Sequence, residues 1–304
     1  MAQVISASRR TDIPGFYSEW LVRRLTEGFV YVRQPYNGRV SRVSLEPRDV
    51  SVFLFWSKNY RPLLPKLEQV EGTTKNLFFH FTITANRELE GNTPEPSEAI
   101  ADYLFLARRY SPDHIVWRYD PVCVTDRLSF EEHEERFARC AEQLRGQARR
   151  CIISFVHPYK KALANFRNYT AHTLVALSPD QQRLYAHRLV ERAERFGIRL
   201  FACCNDHLVS DRIGKARCID GNELSTLFGT AVDRRSGATR KECGCTKSTD
   251  IGDYDTCGHG CVYCYANADK DRARTIQERH HPEWNSLRMN VSEDDPQPSP
   301  FEDQ

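Results

Sequence analysis

An α/β fold built on a parallel sheet is what this chain predicts, and three observations predict it. Short runs of β-branched and aromatic residues alternate with amphipathic runs along most of the sequence. Each strand-like run is apolar at nearly every position, the pattern of a sheet covered on both faces. No G-x-G-x-x-G follows the first strand and no Walker A motif occurs, which removes the usual nucleotide readings of an open, doubly wound sheet. Seven predicted strands with intervening helices then favour a TIM-like (β/α) barrel, closed or partial.

The strands are read at 3–7, 29–33, 52–56, 77–83, 115–119, 151–156 and 198–202. Pro14 and Gly28 bracket a first helix with Phe16, Trp20, Leu21 and Leu25 on one face. Shorter helices follow at 61–70 and 96–110. Ser129-Phe-Glu-Glu132 is a capping box opening a helix to about Gly146. Ser178 and Pro179 open another that Gly197 closes, and Asn222 to Phe228 is the last. The barrel is thus assigned to residues 1–232. A Cys-, Gly- and Asp-rich segment spans 233–285, and 286–304 reads as a disordered acidic, Pro-rich tail.

With 40% hydrophobic and 28% charged residues among 304, the chain can bury a substantial core. A net charge of +2 argues neither for nor against a nucleic-acid partner. The first ten residues lack a basic start followed by an apolar run, and no apolar stretch approaches the ~20 residues of a membrane span. A cytoplasmic address with no membrane partner is the expectation. There, 11 cysteines read as metal ligands, catalytic groups or small core fillers rather than disulfides.

In a (β/α) barrel the active site lies at the carboxyl ends of the strands. Arg9, Arg10 and Asp12 follow the first strand, Lys58 the third, and Arg118 and Asp120 end the fifth. Mixed charges of this kind suit a small zwitterionic ligand. Taken singly, each is as readily a solvated loop residue, and Asp12 is a natural cap for the helix near Pro14.

Cys257-Gly-His-Gly-Cys261-Val-Tyr-Cys264 places three thiols at C-x3-C-x2-C spacing in a glycine-rich loop able to fold round a point. Three thiolates are one short of a closed zinc or iron–sulfur site. A zinc knuckle completed by His259 or another cysteine is the plain alternative. Cys203, Cys204, Cys218, Cys243 and Cys245 contain enough sulfur for a further four-ligand site, best drawn from Cys243, Cys245, Cys218 and one of the adjacent pair, Cys203 or Cys204. That site reads as a second iron–sulfur cluster ahead of zinc. Cys123, Cys140 and Cys151 lie in ordinary elements and read as fillers.

The C-x3-C-x2-C loop with Tyr263 before its last cysteine resembles the cluster loop of radical SAM enzymes. The resemblance implies a [4Fe–4S] cluster on Cys257, Cys261 and Cys264, with S-adenosylmethionine (SAM) on the free iron and Tyr263 near the adenine. It also implies reductive cleavage of SAM, hydrogen abstraction from a substrate, and an electron donor of flavodoxin or ferredoxin type. Ser8-Arg-Arg-Thr-Asp-Ile-Pro14, Phe55-Trp-Ser-Lys-Asn59, Val116-Trp-Arg-Tyr-Asp-Pro121, Cys218-Ile-Asp-Gly221 and Cys243 through Asn267 resemble the DUF1848 family across residues 2 to 267. The cluster loop of radical SAM enzymes follows the first barrel strand, whereas here it follows the last predicted one. Because a barrel closes on itself, a loop reached from the C-terminal end can still occupy the place beside strand one.

The functional expectation is therefore a radical SAM-type enzyme, with Arg9, Arg10 and Asp12, then Arg118 and Asp120, anchoring SAM or a small-molecule or nucleic-acid substrate. A different class stands against it: a zinc- or cluster-stabilised nucleic-acid-binding protein without catalysis, using the basic stretch Lys270 to His281. A metal-assisted hydrolase is weakened by the lack of any His-x-His or His-Glu-x-x-His pair.

Overall fold

β1 (Gln3–Ala7) opens the chain yet lies inside the main sheet, flanked by strands from distant parts of the sequence. The computed structural model describes residues 2–35 and 37–292. After β1 come α1 (Ile13–Phe16), α2 (Ser18–Glu27), and the pair β2 (Phe29–Arg33) and β3 (Val40–Ser44). β4 (Val50–Ser57), α3 (Leu67–Thr73), β5 (Leu77–Thr82), α4 (Pro96–Tyr110) and β6 (Ile115–Val122) follow. Then come α5 (Phe130–Gln143), β7 (Arg150–Phe155), α6 (Lys160–Tyr169), α7 (Pro179–Glu194) and β8 (Arg199–Ala202). β9 (Ile213–Lys215), α8 (Gly221–Phe228), β10 (Thr249–Asp250) and α9 (Lys270–Arg279) complete the order.

Eight strands form one sheet in the order β10-β1-β4-β5-β6-β7-β8-β9, every neighbouring pair parallel. The period of two divides each strand between two apolar layers. Phe53, Phe55, Phe79, Phe81, Trp117 and Ile153 face the helices, packing with Trp20, Leu21, Tyr103, Phe137 and Leu189. Val4, Val52, Leu54, Phe78, Val116 and Ile152 face the other way and share a second core with Cys203, Cys218, Ile219 and Cys245. That second core draws on β1 and on the segments beyond β8 and β9, so residues from both sides of the sheet meet in it. β9 and β10 are not paired among the described residues, but the Thr246 amide donates to the Ile219 carbonyl at 2.8 Å across that gap.

Several expectations change. The run 29–33 is a strand, but it pairs antiparallel with β3 in a separate two-stranded sheet. The helix expected between Pro14 and Gly28 breaks at Tyr17 (φ −132°, ψ 28°), whose hydroxyl donates to the Thr256 carbonyl at 2.5 Å. The expected capping box forms at Ser129 with Glu132, and the cap at Ser178 is a box too, with Gln181; each exchanges side-chain-to-amide bonds of 2.8 and 3.2 Å. The acidic tail does not begin at 286, because Leu287 and Val291 are only 3% and 4% exposed and pack in apolar clusters. The rest of that tail, 293–304, lies outside the described residues. Among the described residues no helix is long and apolar enough to cross a membrane.

Candidate functional site

In a parallel sheet all carboxyl ends lie along one edge, and the polar residues of this chain gather there. β10 runs beside β1, pairing Ser6 with Asp250, and the three-thiol loop follows β10 directly. This is the place beside strand one expected for a loop arriving from the C-terminal side. Asp250 is the hub of the junction. It accepts from Ser8 Oγ at 2.7 Å, the Arg9 amide at 2.9 Å, the Gly252 amide at 3.0 Å, and Ser6 Oγ and Arg10 Nε at 3.1 Å. Burial works to raise its pKa, but the Arg10 and Arg9 guanidiniums and these bonds hold the carboxyl below the usual range. Arg9 and Arg10 are thus committed to Asp250 in part. Arg9 also donates to Ser248 Oγ at 3.1 Å and lies 6.0 Å from the Trp56 ring, while Arg10 Nη1 is buried without a partner.

The loop is fastened from both sides. The Asn92 amide donates to the His259 carbonyl at 3.0 Å, Asn92 Nδ2 to the Gly258 carbonyl at 2.8 Å, and the Val262 amide to the Leu89 carbonyl at 2.9 Å. Asn267 Nδ2 reaches the Cys257 carbonyl at 2.6 Å. His259 is buried, with Nε2 2.5 Å from Asp12 Oδ2, Nδ1 3.2 Å from the Asn92 carbonyl, and Phe16 edge-on at 4.7 Å. Both ring nitrogens are engaged, so His259 is not a spare ligand for a zinc knuckle. Asp12 is equally occupied: it accepts from Ser57 Oγ at 2.6 Å and from the Gly15 and Lys58 amides at 2.8 Å. It caps α1 and holds His259, which makes it a positioning group in this geometry.

Glu90 was not singled out by the sequence, yet it gathers Lys58 Nζ at 2.9 Å, Thr84 Oγ1 and the Tyr263 hydroxyl. Tyr263 is buried with Leu89, Cys123, Leu128 and Phe166, so the aromatic of the loop that is exposed is Tyr265. Lys58 and Lys270, the latter bonded to the Cys261 carbonyl, put two ammonium groups beside the thiols. Burial works against the charge of Lys58, but Glu90 and then Cys261 hold its pKa above the ordinary value. Burial pushes the Cys261 thiol up, and pushes Cys257 up to about 12 with help from Asp12 and Cys264. Without a counter-ion these sulfurs stay protonated; a bound metal reverses that preference.

Arg118 and Asp120 form a buried ion pair with Ser154 donating to Asp120. Burial opposes ionisation of Asp120, but Arg118 and Ser154 hold its pKa low. Arg118 also lies 5.0 Å from the Trp56 ring and donates Nη1 to Cys218 Sγ at 3.1 Å. The structure brings all five remaining strand-end cysteines together. Cys203 Sγ is 3.5 Å from Cys218 Sγ and 3.9 Å from Cys204 Sγ. Cys245 packs in one cluster with Cys203 and Cys218, and Cys204 and Cys243 lie against that cluster. Cys123, Cys140 and Cys151 are fully packed in apolar clusters, as fillers should be. Among the described residues no group of three or more His, Cys, Asp or Glu is arranged as a ready metal site.

The basic stretch after the loop forms α9. There Arg274 pairs with Asp271 at 2.8 Å, and His280 packs edge-on against Tyr17 at 4.7 Å. Comparison with curated proteins and with solved structures finds no match. The family model described as Domain of unknown function (DUF1848) matches residues 4–266, from β1 through the last cysteine of the loop. The strand-end network and both thiol sets fall within that span, and the chain belongs to the DUF1848 family.

Proposed function

We propose that this protein is a radical SAM-type enzyme in which Cys257, Cys261 and Cys264 hold a [4Fe–4S] cluster with one iron left for SAM. The observation that carries the reading is a three-thiol loop hung from β10 beside β1, whose imidazole is already bound to Asp12. The donor set fits: three soft thiols with no spare side-chain ligand in the loop leave one coordination position open. When bound, such a cluster supplies one electron for reductive cleavage of SAM and so for hydrogen abstraction from a substrate.

The chain's own residues bind, aim and shield. Lys58 and Lys270 place positive charge beside the sulfurs and favour thiolates. Asp12 and Glu90 fix the two halves of the loop through His259 and Tyr263. Arg9 and Arg118, both beside Trp56, offer guanidiniums to a carboxylate of SAM or substrate, with Asp250 and Asp120 orienting them and Arg10 beside Arg9 on Asp250. Tyr265 is the face open for stacking a purine. The core shared across the sheet supports a partial (β/α) barrel. Eleven free cysteines suit a reducing cytoplasmic setting and a flavodoxin- or ferredoxin-type donor.

The test is anaerobic reconstitution with iron and sulfide, followed by dithionite and SAM. Brown charge-transfer absorption and release of 5'-deoxyadenosine are expected, both lost in the Cys257→Ala, Cys261→Ala, Cys264→Ala chain. Reconstituted protein that takes no iron on the loop, or cleaves no SAM, overturns the reading.

A further inference from the structure

We infer that Cys203, Cys218, Cys243 and Cys245 bind a single divalent metal ion of the zinc type, and that this ion ties the β9 side of the sheet to the β10 side. The inference is independent of the loop Cys257–Cys264.

Separation between sulfurs decides between one metal and a cluster. Four thiolates held ~2.3 Å from one ion at tetrahedral angles stand ~3.8 Å apart. The 3.5 Å separation of Cys203 and Cys218, both in the proposed set, lies near that spacing. In a four-iron cubane each thiolate binds a different iron, so the cluster itself would hold the sulfurs well beyond contact. The present contacts are those of thiols in van der Waals and S–H···S contact. Binding one ion releases their protons to solvent and draws the sulfurs round a point.

The surroundings are those of a metal thiolate. Arg118 Nη1 donates to Cys218 Sγ at 3.1 Å, and Arg240 Nη2 lies 3.9 Å from Cys203 Sγ. These cations offset part of the negative charge that four thiolates bring, and such outer groups tune affinity. Cys204, in the left-handed region at φ 51°, lies at the edge of the set with its thiol 3.9 Å from Cys203 Sγ. Cys203 is preferred as ligand because it touches Cys218 directly and is only 8% exposed, whereas Cys204 is half-buried.

Position gives the ion its role. Cys203 follows β8, Cys218 follows β9, and Cys243 and Cys245 precede β10. The four thus straddle the gap that the Thr246–Ile219 bonds also cross. Four protein thiolates leave no open position, so the ion is structural.

The test uses the full chain with Cys257, Cys261 and Cys264 replaced by Ala, so that failure of the loop reading leaves this measurement intact. One zinc per chain after anaerobic purification is expected. Cobalt exchanged into the same chain should show thiolate-to-metal charge transfer and the d–d bands of a tetrahedral centre. Cys218→Ser or Cys245→Ser should weaken cobalt binding at least tenfold, and Cys204→Ala should leave it within twofold. If the loop variant does not fold, cobalt titration of the wild-type chain with and without Cys218→Ser gives the same reading. Labile sulfide with four irons on this set, disulfides in place of metal, or cobalt binding indifferent to Cys218 overturns the proposal.

Discussion

Asp250 collects donors from Ser6, Ser8, Arg9, Arg10 and Gly252 and so joins the first strand to the last. Replacing it by Asn leaves two partly buried guanidiniums uncompensated, and a loss of about 3 kcal/mol in urea unfolding is expected. Because its folded pKa is depressed, its contribution is complete above the ordinary carboxylate value. It fades as pH falls through that value toward the folded one. The difference between wild type and Asp250→Asn should therefore be constant near neutrality and shrink below about pH 4. Glu90→Gln makes a separate prediction. With Lys58 unpaired and Tyr263 loosened, iron retention on the loop should fall about tenfold, while metal on the Cys203 set is unchanged. Neither carboxylate was legible in advance. Asp250 sits on a two-residue strand with no periodicity to read, and Glu90 follows a short 3-10 turn (Arg87–Leu89). The arginines stood out in the sequence, whereas the Asp250 contacts that aim Arg9 and the Glu90 contact that holds Tyr263 join residues more than 150 apart along the chain.

At the scale of elements, the junction of β10 with β1 depends on close approach. A Cβ at Gly252 would lie 1.9 Å from Ser8 Oγ and 2.6 Å from Ser8 Cβ, and Ser8 is itself fixed by Asp250. Gly252→Ala should cost about 1–3 kcal/mol by overpacking, read as a lowered urea midpoint with unchanged slope. Elements with strong local signals were legible. β1 and α4 have the bounds the sequence predicts, and the box at Ser129 and the cap at Ser178 open α5 and α7 as expected. The strand at 29–33 was read correctly but placed in the wrong sheet, because its partner β3 buries only Val40 and Val43 and alternates with polar residues. α6 has no counterpart among the predicted helices, although Ala162, Asn165 and Phe166 recur at helical spacing. β9 and β10, at three and two residues, are too short for any periodic signal.

Across the whole molecule, chain order and spatial order part company. Six of the sheet's strands are consecutive neighbours from β4 to β9, but β1 is paired on one side by the segment that arrives last. A chain ended after Asp233 lacks β10, Asp250, Cys243, Cys245 and the loop. It should elute as an aggregate in size-exclusion chromatography and unfold without a cooperative transition, whereas the full chain elutes as a defined species. During synthesis the same arrangement imposes a wait. One flank of the first-made strand stays bare on the ribosome until nearly the whole polypeptide has emerged, a template for pairing with any extended neighbour. Slowed translation ahead of the last cysteines should therefore lower soluble yield, and a holding chaperone should restore it.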